Sequence, residues 1–230
     1  MIPVIIPWDV STLDPHREKN FSYVRQWWRE SGDFTVITGL SEPFQRSVAR
    51  NNGFLYATHG VPGLDVVVFA DADTLVSLDA VRECVERVRA GEPWGLPFTE
   101  YYNRTERDTE TVLSQSNANA SLETPVEWEH LIMDCVSGVL VVPISAVVHV
   151  RGYDHRFQGW GYEDNAFRLS LDKVVGPHFR VKGEAHHLWH PRGEDFNQPL
   201  IQFNQHMHQK YLSAKTKVSM QKLIRERPVL

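Results

Sequence analysis

The sequence predicts an α/β fold, a single domain with a mostly parallel central sheet flanked by helices. Three observations carry this. Continuously apolar runs rich in valine and isoleucine alternate with helical segments through the first half, as strands buried on both faces do. Hydrophobic residues make up 42% of the 230 residues, enough to fill a core. No internal repeat and no Pro/Gly-rich linker divides the chain.

The elements follow in order. "PVIIPW" is a short apolar strand closed by Pro7. Residues 20–30 form a helix that Gly32 stops. "FTVITG" is the second strand. Ser41 caps a helix running to about Ala57, with Pro43 in its first turn. "LDVVVFADAD" is the clearest strand, and its end delivers Asp71 and Asp73. Residues 79–90 make an amphipathic helix with Ala80, Val81, Cys84, Val85 and Val88 on one face, ended by Gly91. Residues 99–125 are polar and read as a long loop, nearly low-complexity at "SQSNANAS". "VSGVLVVP" resumes as a strand, followed by helices at 144–151 and 164–171, then "HFRVKG" and "EAHHLWHPRG".

Charge narrows the function. With 24 Lys+Arg against 29 Asp+Glu the net charge is −5, which argues against a nucleic-acid-binding face over the whole molecule. Six of the basic residues (Lys210, Lys215, Lys217, Lys222, Arg225 and Arg227) fall between Lys210 and Leu230 with one acid, Glu226. Such a basic tail is either a solvated helix face or a dock for an acidic partner. Two cysteines, Cys84 and Cys135, make no disulfide framework and suit a reducing cytoplasm. No apolar run approaches the roughly 20 residues of a membrane span. "MIPVIIPWDV" lacks the basic start and long apolar stretch of a signal peptide. The sequons at Asn103 and Asn119 are therefore expected to be silent.

Three clusters can carry chemistry. "FADAD" places two carboxylates at the C-terminal edge of a buried strand, where open α/β sheets bind ligands. Hard oxygen donors there suit Mg²⁺ or Mn²⁺ on a diphosphate, although the same residues also fit an acidic turn. "HHLWHP" offers His187 and His190, which could join Asp73 on Mn²⁺. A zinc site would need further N or S donors, and the cysteines lie far off in sequence. "GWGYEDNAF" sets exposed Trp160 between Gly159 and Gly161, directly before Glu163 and Asp164. An indole beside a carboxylate pair suits a sugar, and one carboxylate can act as general base; an acidic helix start is the plainer reading.

In order along the chain, "IIPW" with Arg17, "PFQRSVARNNGF", "FADAD", "VSGVLVVP", "GWGYEDN" and "HLWH" resemble the glycosyltransferases of GT-A fold. The nearest pattern is the catalytic domain of the β-1,4-galactosyltransferases, and a more distant one is the polypeptide N-acetylgalactosaminyltransferases. The resemblance implies a Rossmann-like nucleotide-sugar half at 1–98, an acceptor and catalytic half at 99–198, and a helical basic tail at 199–230. It implies that Pro7, Trp8, Arg17, Arg46 and Asp71 line the nucleotide pocket, and that Asp73 and His190 bind Mn²⁺ or Mg²⁺. His187 stands where the galactosyltransferases have a methionine ligand. Trp160 and Gly161 would cover the sugars, Glu163 would hold the acceptor, and Asp164 would be the catalytic base. The donor implied is a UDP-hexose; the acceptor could be a glycan, a protein hydroxyl or a modified nucleobase. Glu-Asp follows the inverting members, whereas retaining relatives carry Glu-Asn. Tyr162 replaces a glycine usual in the motif. The anchor and stem of the animal enzymes are not seen, which points to a soluble bacterial or phage-like member. A non-catalytic sugar- or nucleotide-binding module on the same scaffold is the alternative.

Overall fold

The computed structural model describes residues 1–60, 63–115, 122, 127–191 and 198–228. Strand β1 (Ile2–Pro7) pairs in parallel with β2 (Phe34–Gly39) and β3 (Val66–Ala70). Next to β3 lies β8 (Val139–Pro143), then β5 (Gly95–Leu96) and β9 (Phe179–Arg180), giving the order β2-β1-β3-β8-β5-β9. β8 runs antiparallel to both β3 and β5, so the sheet is mixed where a mostly parallel one was expected. The reason is physical. A valine strand buried on both faces presents the same pattern in either direction, so composition cannot set its polarity.

A second sheet, in the order β4-β10-β6-β7, stands beside the first. It joins β4 (Thr74–Val76), β10 (Glu184–His187), β6 (Glu100–Arg104) and β7 (Trp128–Ile132). β6 and helix α4 (Glu106–Leu113) occupy the first half of the tract expected to be loop. β6 is polar by sequence, yet Tyr101 and Arg104 are buried once β10 pairs with it, and Arg104 meets Asp108 at 2.6 Å. Most of "SQSNANAS", with the Asn119 sequon, lies outside the described residues.

The helices cover the sheets. α1 (Pro15–Glu30) starts five residues before the expected point, because Asp14 caps it by accepting from the His16 amide at 2.9 Å and Pro15 opens it. α2 (Arg46–Gly60) starts later than expected: Ser41 accepts from the Gln45 amide, and residues 42–45 precede the helix. α3 (Leu78–Arg89) buries Ala80, Val81, Cys84, Val85 and Val88, the face read from the sequence. α5 (Ile144–His149) and α6 (Glu163–Val174) follow β8 and the tryptophan loop. α7 (Gln198–Ser213) and α8 (Lys217–Arg225) close the chain. Residues 192–197, between His190 and α7, lie outside the described set. Among the described residues no helix is long and apolar enough to cross a membrane.

Two glycines pull α2 onto the sheet. A Cβ on Gly39 would stand 2.2 Å from the Ala49 carbonyl, and one on Gly53 would meet Ile5 at 2.6 Å. This close approach carries the N-terminal end of α2, with Arg46 and Arg50, to the C-terminal ends of β1 and β3.

Candidate active site

The chain leaves β3 at Ala70 and passes Asp71, Ala72 and Asp73 before β4 begins. Backbone pairing then brings in the histidines. β10 runs antiparallel to β4 with His187 opposite Thr74, and the Leu188 amide donates to the Asp73 carbonyl at 2.8 Å. The Trp189 amide donates to Thr109 of α4 at 2.8 Å, and Asn20 of α1 donates to the Trp189 carbonyl at 3.0 Å. The segment is thus held from three sides. His187 Nε2 lies 3.6 Å from Asp73 Oδ1, and His190 Nε2 lies 3.3 Å from Asp73 Oδ2. One ligand atom from each of the three residues falls within 4.8 Å of the others.

Charge in this corner is mutual. Burial alone would raise the Asp73 carboxyl, but the imidazoles of His187 and His190 outweigh it and hold it well below the usual carboxylate range. Burial pushes His187 down; it would lower His190 too, but the hydrogen bond and charge of Asp73, with the Pro191 carbonyl, together outweigh it and raise His190. His190 Nδ1 faces the Pro191 carbonyl at 2.9 Å, which leaves Nε2 toward Asp73. One carboxylate oxygen and two imidazole nitrogens suit Mn²⁺. Both thiols are free, and neither belongs to this cluster, which removes the donors a structural zinc would want.

Beside it stand the residues expected to line the nucleotide pocket. Pro7 ends β1, and Trp8 stacks on Phe21 with ring centroids 4.2 Å apart. Arg17 pairs with Asp14 at 3.5 Å and acts electrostatically on Asp73, His187 and His190.

Asp71 faces another way. Arg50, 2% exposed, reaches Asp71 Oδ1 with one guanidinium nitrogen at 2.5 Å. Its other terminal nitrogen lies 2.9 Å from Asp164 Oδ1 and 3.7 Å from Glu163 Oε1. Arg46 lies 3.8 Å from the same Glu163 oxygen. Three carboxylates and two guanidiniums therefore share one knot, with Arg50 and Glu163 buried at its centre. Burial pushes the Asp164 carboxyl up to about 8; Arg50 opposes, and Glu163 and Asp71 add to the rise. Glu163 is the more enclosed of the acid pair, and Asp164 keeps 13% of its side chain exposed.

The segment before α6 is built from left-handed residues. Gly159, Gly161 and Tyr162 have φ of 63°, 105° and 72°. Tyr162 thus takes the conformation a glycine would take most easily, and its ring stacks on His208 of α7. Buried Asn204 donates to the Gln158 carbonyl at 2.7 Å and to the Trp160 carbonyl at 3.2 Å. Trp160 remains 46% exposed.

Of the site residues expected from the sequence, the structure brings Asp73, His187 and His190 into one cluster and Arg46, Asp71, Glu163 and Asp164 into another. Arg50 was missed. Its signal was present: "RSVAR" spaces Arg46 and Arg50 by four, which puts both on one helix face.

Residues 120–192 match the family model described as the N-terminal domain of galactosyltransferase, a span holding β8, the tryptophan loop, α6 and both histidines. No curated protein matches the chain. Among solved structures, the catalytic domain of Drosophila β1,4-galactosyltransferase 7, complexed with xylobiose, is 14% identical. It aligns over 94% of this chain and 82% of its own, with a TM-score of 0.50. GalNAc-T7 with UDP, GalNAc and Mn²⁺ is 13% identical over 93% of this chain and 48% of its own, with a TM-score of 0.53. The chain has the GT-A fold of these glycosyltransferases, and the galactosyltransferase resemblance carried by its ordered motifs holds.

Proposed function

We propose that the chain is a metal-dependent glycosyltransferase that moves a hexose from a UDP-sugar to an acceptor hydroxyl with inversion at C1. The observation that carries this is the division of Asp-x-Asp: Asp73 joins two histidines in a cation site, and Asp71 is tied through Arg50 to Asp164. GalNAc-T7 is similar in fold and was solved with UDP and Mn²⁺, which supports the same donor and ion here.

Asp73, His187 and His190 would hold Mn²⁺ or Mg²⁺, which supplies positive charge for the departing diphosphate. Pro7, Trp8, Arg17, Arg46 and Asp71 would bind the nucleotide. Trp160 and Gly161 would cover the sugars, with Glu163 toward the acceptor. Asp164 takes the proton of the acceptor hydroxyl as that oxygen bonds to C1. The bond from C1 to the diphosphate breaks, and UDP leaves with the electron pair. An α-linked donor gives a β-linked product. Donor binding would fall to residues 1–98 and acceptor binding to residues 99–198. Unpaired cysteines suit a cytoplasmic setting. Lys210, Lys215, Lys217, Lys222 and Arg225 are exposed and could engage an acidic acceptor, glycan or otherwise.

UDP release from a panel of UDP-sugars, with Mn²⁺ and with EDTA, tests the reading, and NMR of the product gives the anomer. Metal-dependent release with a β-linked product is expected, together with UDP binding that weakens in Arg46→Ala. UDP binding without turnover of any donor would instead favour a non-catalytic binding module.

A further inference from the structure

We propose that Arg50 is the positioning residue of this site: one guanidinium, sealed from solvent, fixes Asp164 relative to Asp71 and favours the anionic form of Asp164, the form that accepts a proton. The proposal rests on the glycosyltransferase reading for its chemistry, but its geometry stands by itself.

Arg50 is a planar fork with separate terminal nitrogens. One meets Asp164 at 2.9 Å and the other meets Asp71 at 2.5 Å. A lysine offers one ammonium and cannot span both carboxylates at these distances. The guanidinium lies over the Tyr153 ring, 4.8 Å from its centre, so its plane is fixed by packing as well as by charge. Tyr153 in turn stacks on Phe167 of α6, with centroids 4.0 Å apart. The residue therefore connects α2, the end of β3 and the start of α6 through a single side chain.

Its electrostatic role follows from what faces Asp164. Arg46 and Arg50 come from α2, Asp71 from the end of β3, and Glu163 from its own helix. Tyr153 and Cys135 lie within electrostatic reach and are neutral over the working range, both thiol and phenol being pushed up by burial. Two carboxylates thus disfavour the charge on Asp164, burial disfavours it further, and Arg50 is the larger of the two forces in its favour. Without Arg50 the carboxyl keeps its proton to higher pH and cannot act as base.

The test combines a rate measurement with one that needs no substrate. In Arg50→Met the acidic limb of the kcat/KM profile should move up by at least about one pH unit, a tenfold loss at fixed pH below it. Raising the pH should restore much of that loss, and the dissociation constant for UDP should stay within about threefold of wild type. Purely structural damage would not be repaired by pH. An unchanged profile, or a loss confined to UDP affinity, overturns the proposal. Because Arg50→Met leaves Asp71, Glu163 and Asp164 without the cation they share and risks misfolding, Arg50→Lys carries the second arm. Carboxyl-¹³C NMR of aspartate-labelled protein, with the Asp164 signal assigned by Asp164→Asn, should show Asp164 titrating at higher pH in Arg50→Lys than in wild type. Equal midpoints overturn the proposal. If wild type turns over no UDP-sugar, the functional reading falls while the NMR titration still decides the role of Arg50.

Discussion

Asp73 and Asp164 are both enclosed carboxylates at the same sheet edge, and their surroundings drive them in opposite directions. Around Asp73 two imidazoles outweigh burial and favour the anion. Around Asp164 burial and two neighbouring acids outweigh the guanidiniums and favour the proton. The first corner is prepared for a cation and the second to receive a proton. Their contributions to stability have opposite signs. The lowered Asp73 stabilises the fold above its unfolded value, and that contribution is lost as pH falls toward the folded one. The raised Asp164 holds a proton in the fold that the unfolded chain has already released, so stability declines between about pH 4 and pH 8.

The largest expected effect breaks the first corner. Asp73→Ala removes the carboxylate shared by both histidines, and turnover should fall about 10⁴-fold, the several kcal/mol that a charge-neutralising ion provides. Thermal melting should show the fold kept, and calorimetry should show UDP binding that no longer responds to Mn²⁺. Full activity of this variant in EDTA would sink the metal site.

Next in size is the second corner. Asp164→Asn should lose about 10³-fold in kcat, within the usual range for a general base, with UDP affinity nearly intact. The same variant should abolish the fall in stability between about pH 4 and pH 8, which denaturant titration at several pH values measures. In wild type, kcat/KM should climb about tenfold per pH unit on the acidic side of about 8, because it reports the free enzyme's base. An α-linked product, or Asp164→Asn at near wild-type rate, would remove this residue from its role.

The basic tail reaches the helix of the second corner through Arg227. Arg227 was counted with the exposed cations of the tail, but it is buried. It donates to the carbonyls of Val150 and Gly152 at 2.8 Å, to Tyr211 Oη at 3.0 Å and to Ser170 of α6. Tyr211 passes the contact on to Asp154, which Arg156 also holds. Arg227→Met should cost about 3 kcal/mol, because it strands several buried acceptors. If the damage is local to α6, Mn²⁺ binding at Asp73 should survive where base function fails. Equal loss at both corners would show that they are not independent.

These differences track what the sequence could reveal. The metal corner was legible because Asp73 ends an apolar strand and "HHLWH" is chemically conspicuous. Asp164 was legible as half of an adjacent acid pair. Arg50 was not, since an arginine inside a helix is ordinary until segments at 71 and 163–164 converge on it. The same holds for the fold. β1, β2, β3 and α3 announce themselves by local pattern. β6 is polar and becomes a strand through pairing with β7 and with β10, the latter more than 80 residues away, where Glu100 stands opposite Glu184. Cap chemistry at Asp14 and Pro15 was readable and was passed over.

The smallest expected effect concerns Tyr162, where a left-handed backbone carries a full side chain. A non-glycine residue in that region costs about 1–2 kcal/mol. Tyr162→Gly relieves this but gives up the stack on His208, worth about 0.5–1.5 kcal/mol, and a glycine loses more freedom on folding. The terms nearly cancel, so the midpoint of unfolding should move by no more than about 1 kcal/mol in either direction. The functional consequence should exceed the stability change. Tyr162 is the N-cap of α6, adjacent to Glu163, and its ring joins the loop of Trp160 to α7. With that stack gone, acceptor KM should rise several-fold while UDP affinity and Mn²⁺ dependence stay unchanged, because the stack joins Tyr162 to His208 whereas the cation site is built from Asp73, His187 and His190. A shift in donor affinity would mean that the tryptophan loop and the cation site are coupled. Unchanged acceptor KM would mean that Tyr162 serves the fold alone.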